Sequence, residues 1–233
     1  MFNRYSIAAK SEDVGIRFNV DVPAYYKPRY NAAPTHLLPV ITQQTPVGVS
    51  LFYWGLSPEW AKNKTLGERA INVRVETIPE KGIYRKALMQ RRCLMPATGL
   101  FVWKKIGKKT VVPYRVVLKN MPLFSMPGFW EEFEDEAGDS IQTFTVITRA
   151  ANEPFTDFGE RMPVIFTPAQ EKIWLAPDAA EESLLPLLSF ELNAAEYDLY
   201  SVSPAVNSPS YESELVIRPA PPADQFGNLT LFG

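Results

Sequence analysis

Two stretches of the chain set polar side chains where they can act together on a ligand. Arg29-Tyr30-Asn31-Ala32-Ala33-Pro34 puts a guanidinium and an amide beside a rigid turn, and Asn72-Val73-Arg74-Val75-Glu76 alternates polar with apolar residues. Successive side chains of a strand point to opposite faces, so an extended 72–76 segment would turn Asn72, Arg74 and Glu76 to one side, a row suited to phosphate or sugar oxygens. The plainer alternative makes Arg74 and Glu76 a structural pair and Asn72 a turn cap. Reactive single groups are scarce. Cys93 is the one cysteine and His36 the one histidine, which allows no intramolecular disulfide and nearly excludes a Cys/His zinc site. No metal and no cofactor is expected, and any metal would have to be a hard ion held by oxygen.

The common catalytic signatures are missing. There is no Gly-x-x-x-x-Gly-Lys-Ser/Thr loop, no Gly-x-Gly-x-x-Gly, no Gly-x-Ser-x-Gly and no His-Glu-x-x-His, so nucleotide, dinucleotide, serine-hydrolase and zinc-protease readings lose their support. Charge is more informative. The net charge of −2 hides a segregation: residues 81–119 carry eleven basic and no acidic side chains, whereas residues 120–233 carry four basic and nineteen acidic ones. A basic face binds a polyanion whatever the total, because phosphate attraction acts over roughly 8 to 10 Å. The alternative is that the basic segment pairs with the acidic half.

Six blocks occur together and in order: Arg29-Tyr-Asn-Ala-Ala-Pro34, Trp54-Gly-Leu56, Asn72-Val-Arg-Val-Glu-Thr77, Arg91-Arg-Cys-Leu94 with Gly99-Leu-Phe-Val-Trp103, Arg161-Met-Pro-Val164 and Val202-Ser-Pro-Ala-Val-Asn207. Together they resemble the signature of the SOS-response-associated peptidase (SRAP) family, the abasic-site-sensing, DNA-crosslinking proteins. The resemblance runs from the N-terminus to about residue 218. It implies one α+β domain with a β-rich, barrel-like core sheltering a positive cleft for single-stranded DNA. It also implies a cysteine at position 2 that traps the abasic aldehyde as a thiazolidine, helped by a glutamate in the Gly-x-x-Glu-Trp block and a histidine ahead of Arg-Met-Pro. The same cysteine is the proposed nucleophile for trimming a propeptide in some members.

This chain departs from the pattern at all three positions, which hold Phe2, Val102 and Gly159. A phenyl ring, an isopropyl group and a bare Cα neither attack a carbonyl nor transfer a proton, so a member without that chemistry is expected, with no catalytic residue assigned. Phe2 should also leave Met1 in place, and the pair is expected to plug the pocket with apolar surface. Three substitutes come up for weighing: Cys93, read as a buried structural thiol; His36, read as a turn histidine; and Glu160, beside the vacant histidine position, read as facing solvent. The DNA-contacting set survives better, with Arg4, Asn31, Asn72, Arg74, Thr148 and Arg161 at matching positions. Trp54, Trp60 and Trp103 offer ring faces for an unpaired base, each divided evenly between platform and core. Non-covalent binding of single-stranded or abasic DNA is therefore expected. The alternatives are a scaffold that binds a protein partner or small metabolite, and an altered hydrolase.

Elements must carry these residues into place. With 233 residues, 46% apolar and 21% charged, the chain is a globular protein and not a disordered one. Twenty-one prolines argue for many short elements ended by rigid turns. β-Branched and aromatic runs predict strands over 47–54, 110–118 and 143–148, and less securely over 123–130, where a proline intervenes. Helices are predicted over 80–90 and 180–188, and over 168–175, where Thr167 caps, Pro168 fits the first turn and Gln170 completes a capping box. Residues 131–139 read as an acidic hairpin tip. One domain over 1–218 and an extended tail over 219–233 are expected. No apolar run approaches the ~18 residues of a membrane span and the start lacks signal-peptide regions, so no membrane and a cytoplasmic address are expected.

Overall fold

The computed structural model describes residues 2–55, 71–134 and 138–230. In chain order its elements are β1 (Tyr5–Ile7), α1 (Ser11–Phe18), β2 (Arg29–Ala32), β3 (Leu37–Thr42), β4 (Thr45–Trp54), β5 (Asn72–Arg74), α2 (Gly82–Gln90), β6 (Arg92–Ala97), β7 (Gly99–Lys105), β8 (Val111–Leu118), β9 (Phe124–Glu134), β10 (Ser140–Ala150), β11 (Arg161–Pro163), α3 (Pro168–Leu175), α4 (Glu181–Leu184) and β12 (Tyr197–Ser201). The architecture is α+β, with two sheets and short peripheral helices.

One sheet closes on itself. β10 pairs with β4, β4 with β3, β3 with β6, β6 with β9, and β9 returns to β10. The β4–β10 step is parallel, and β5 continues alongside β10 in the same sense, with Asn72, Val73 and Arg74 opposite Val146, Ile147 and Thr148. Gly128 makes the closure possible. A Cβ there would lie 2.2 Å from the Thr145 carbonyl oxygen and 2.7 Å from Met95 Cε, so no other residue lets β9 approach β10 this closely. Pro127 is tolerated in β9 because it lies one residue past the last β10 pair, Val146 with Gly128. The five strands of the second sheet run β12-β8-β7-β1-β2.

Buried arginines tie these layers together. Arg92 is wholly buried, and its guanidinium donates to the carbonyls of Leu88 and Met89 at the end of α2 and of Trp174 and Ala176 at the end of α3. A cation among last-turn carbonyls satisfies orphan acceptors and complements two helix dipoles at once. Burial lowers its pKa to about 10, so it stays charged at neutral pH. Arg115 crosses the second sheet to Ser6 Oγ, the Thr98 carbonyl and the Tyr200 hydroxyl.

α3 begins and ends where predicted, and Gln170 Oε1 accepts from the Thr167 amide at 2.9 Å. The predicted 180–188 helix is α4 followed by a 3-10 turn, Leu185–Ser189, because Pro186 removes an amide donor. The acidic hairpin is shorter than expected: Glu131–Glu134 belong to β9, and 135–137 lie outside the described residues. The 72–76 segment is not one strand. β5 ends at Arg74 and Val75–Thr77 form a 3-10 turn, which swings Glu76 off the row. Residues 219–230 lie against the second sheet: Pro219 bridges Val202, and Gln225 bonds the Lys109 carbonyl and the Val111 amide. Among the described residues no helix is long and apolar enough to cross a membrane.

Candidate functional site

Phe2, Val102 and Gly159 meet at one cavity of about 170 Å³. β1 makes this possible by pairing antiparallel to β7, with Tyr5 opposite Leu100 and the Phe101 amide donating to the Arg4 carbonyl at 3.1 Å. Continuing that register backwards brings Phe2 level with Val102 and Trp103. The opposite wall comes from the approach to β11, with Phe155, Phe158, Gly159 and Arg161. Phe2 is 5% exposed and turns its ring onto Trp54 and Tyr5, at centroid separations of 5.6 and 6.5 Å. It therefore walls the cavity with apolar surface, and Met1, the other half of the expected plug, lies outside the described residues.

Asn72 holds the same corner, since its Nδ2 donates to the Phe2 carbonyl at 2.5 Å while its Oδ1 is buried without a partner. Thr148 stands between Arg74 on β5 and Pro163 on β11. It is buried, its hydroxyl bonds the Val73 carbonyl at 3.1 Å, and its carbonyl accepts from Arg161 Nη2 at 2.5 Å, so it positions neighbours and presents nothing outward. Arg161 reaches Glu76 with both terminal nitrogens, at 2.7 and 2.8 Å. That contact holds the Glu76 carboxyl below its ordinary pKa. Arg74, exposed, has no carboxylate partner among the described residues. Arg4 is buried, and its Nε and Nη1 have no hydrogen-bond partner. Burial lowers its pKa.

A family model described as "SOS response associated peptidase (SRAP)" matches residues 1–209. The chain belongs to this family. The Bacillus subtilis abasic site processing protein YoqW is 36% identical over 222 residues, covering 94% of this chain and 99% of the relative. The Escherichia coli abasic site processing protein YedK is 27% identical over 203 residues, covering 85% of this chain and 89% of its own. A crystal structure of a Bacteroides thetaiotaomicron protein superposes with a TM-score of 0.80 at 27% identity, covering 93% of this chain and 99% of that one.

Within the SRAP scaffold, several expected ligand contacts are internal. Trp54 is fully buried, stacked on Phe144 and bonded through Nε1 to the Ile71 carbonyl at 2.8 Å, so it is core and not a platform. Asn31 is also fully buried; its amide nitrogen donates to the carbonyls of Val206, Ser208 and Tyr211, which anchors that loop, while its Oδ1 is buried without a partner. Trp103 is half-buried, bonded to Asn207 Oδ1 at 2.8 Å, and does line the cavity. Trp60 lies outside the described residues.

The three substitute groups fall elsewhere. Cys93 is buried in the barrel, and burial pushes its thiol pKa well up. His36 Nδ1 faces Arg29 Nη2 at 2.8 Å, and burial with the Arg29 charge lowers its pKa, so the ring is neutral. Glu160 is exposed and borders, with Asp157, an adjoining depression that shares Lys105, Phe158 and Gly159 with the cavity.

The basic segment divides by position. Arg85 pairs with Glu181 at 3.0 Å, Arg91 lies 4.2 Å over the Trp130 ring, and Arg92 and Arg115 are internal. Lys104, Lys105, Lys108 and Lys109 instead crowd the β7–β8 hairpin, and Lys105 borders the cavity. None of these four lysines has a carboxylate partner among the described residues. Sequence reasoning registered the charge but assigned no lysine to the site. It also missed Phe155 and Phe158, whose only signal is their closeness to Arg161-Met162-Pro163.

Proposed function

We propose that this protein binds single-stranded or abasic DNA non-covalently and lacks the crosslinking and peptidase chemistry of its family. The observation that carries this reading is that Phe2, Val102 and Gly159, at the positions where the family resemblance puts thiol, carboxylate and imidazole, share one cavity with no nucleophile or general acid among them. The relatives named abasic site processing proteins support DNA as the ligand class. So do the cationic side chains without a carboxylate partner among the described residues: Lys105 at the cavity, Lys104, Lys108 and Lys109 on the same hairpin, and the exposed Arg74.

Anisotropy of a labelled single-stranded oligonucleotide across a salt series tests this. Binding that weakens steeply with salt supports the reading, since each neutralised phosphate releases counterions. Absent or salt-insensitive binding overturns it and favours a scaffold for another ligand.

A further inference from the structure

The cavity is shaped for something an abasic site does not have. Its apolar lining includes Phe2, Val102, Trp103, Phe155, Phe158 and Met162, with Lys105 and Arg161 beside them. An abasic deoxyribose is polar throughout and gains little from such walls, whereas a nucleobase has an apolar ring face that stacks on aromatic side chains. Size narrows the choice. An enclosed apolar cavity of about 150 Å³ accepts one benzene-sized ring, and this partly open one, of about 170 Å³, has room for a ring of that size. Charge stands where a backbone would run, because Lys105 borders the cavity and Lys104, Lys108 and Lys109 continue along the same hairpin. Gln225, from the segment after residue 218, bonds the Lys109 carbonyl at 2.7 Å and the Val111 amide at 3.0 Å, so the hairpin is braced.

We infer that the cavity receives one intact pyrimidine base of a single strand, stacked against Trp103 and Phe158, with the flanking phosphates on the β7–β8 lysines. This rests on the single-strand reading above and turns its preference from damaged to undamaged DNA.

Competition binding with three ligands of equal length and charge decides it: oligothymidylate, a chain of stable tetrahydrofuran abasic residues, and oligodeoxyadenylate. Equal phosphate counts cancel the electrostatic part. Oligothymidylate should bind at least fivefold tighter than the abasic chain and severalfold tighter than oligodeoxyadenylate. Phe158→Leu, which keeps apolar bulk, and Val102→Trp, which fills the space, should each bring oligothymidylate down towards the level of the abasic chain. Equal or tighter binding of the abasic chain, with both variants silent, overturns the inference while the single-strand reading stands. Equal binding of oligodeoxyadenylate overturns the pyrimidine assignment. If no oligonucleotide binds, both readings fall together.

Discussion

Glu76 hydrogen-bonds Arg161 and not Arg74, whose charge it feels only through space. The carboxylate meets both Arg161 terminal nitrogens, at 2.7 and 2.8 Å, although Arg74 is two residues away in the chain. The 3-10 turn after β5 causes this, because it carries Glu76 across to β11 while Arg74 stays on the strand. Two arginines that look equivalent in sequence thus have different roles.

Arg74→Ala should weaken single-strand binding and reduce the slope of log affinity against log salt by about one. Arg161→Ala should instead lower thermal stability, since it strips a bidentate partner from Glu76 and a donor from the Thr148 carbonyl. A salt series on both variants checks this; an unchanged slope for Arg74→Ala would exclude it from the phosphate path.

Arg92 should be the most sensitive charged position for stability. Arg92→Ala leaves the Leu88, Met89, Trp174 and Ala176 carbonyls without their common donor, which should cost about 3 to 5 kcal/mol. Arg92→Lys should recover only part, because a point ammonium does not span two helix ends as a planar fork does. Urea unfolding of the three proteins measures it, and a loss below ~1 kcal/mol for Arg92→Ala contradicts the capping role.

Gly128→Ala tests the barrel closure. Its methyl would meet the Thr145 carbonyl oxygen and Met95 Cε inside van der Waals contact, so β9 or β10 must shift. A destabilisation of about 1 to 3 kcal/mol is expected. Unchanged urea unfolding would show that the strands are not held this close.

How much of this was legible in the chain depends on whether the cause was local. The Thr167–Gln170 capping box, the β-branched run of β8 and the strand ending at Trp54 follow from neighbours in sequence, and the structure has them. β6 does not: Arg92–Ala97 is buried on both faces, so no alternation marks it, and its partners are distant strands. Burial of Trp54 and Asn31 is likewise a tertiary outcome that a tryptophan before glycine or an asparagine before two alanines does not announce. The site needed the family resemblance, since Phe2, Val102 and Gly159 come together only through the β1–β7 pairing and the path into β11.

His36 gives a pH test that needs no assignment, because it is the one histidine. Burial and the Arg29 charge lower its pKa below the usual ~6.5, so the folded protein disfavours the imidazolium. A histidine with a depressed folded pKa contributes stability that is complete above about pH 6.5 and is lost as pH falls through its folded pKa. NMR titration of the ring protons should give a midpoint below 6.5, and His36→Gln should flatten the loss of stability on acidification in that window. A midpoint at or above 6.5 contradicts the placement of Arg29 against Nδ1.

The most direct test of the central claim is incubation of the purified protein with abasic single-stranded DNA, read on native and denaturing gels with and without borohydride. The account predicts a shifted band under native conditions at low salt and no band that survives denaturation in either case, because Phe2 supplies no thiol and no imidazole or carboxylate stands at Gly159 or Val102. A denaturation-resistant adduct formed at neutral pH without reductant would contradict it.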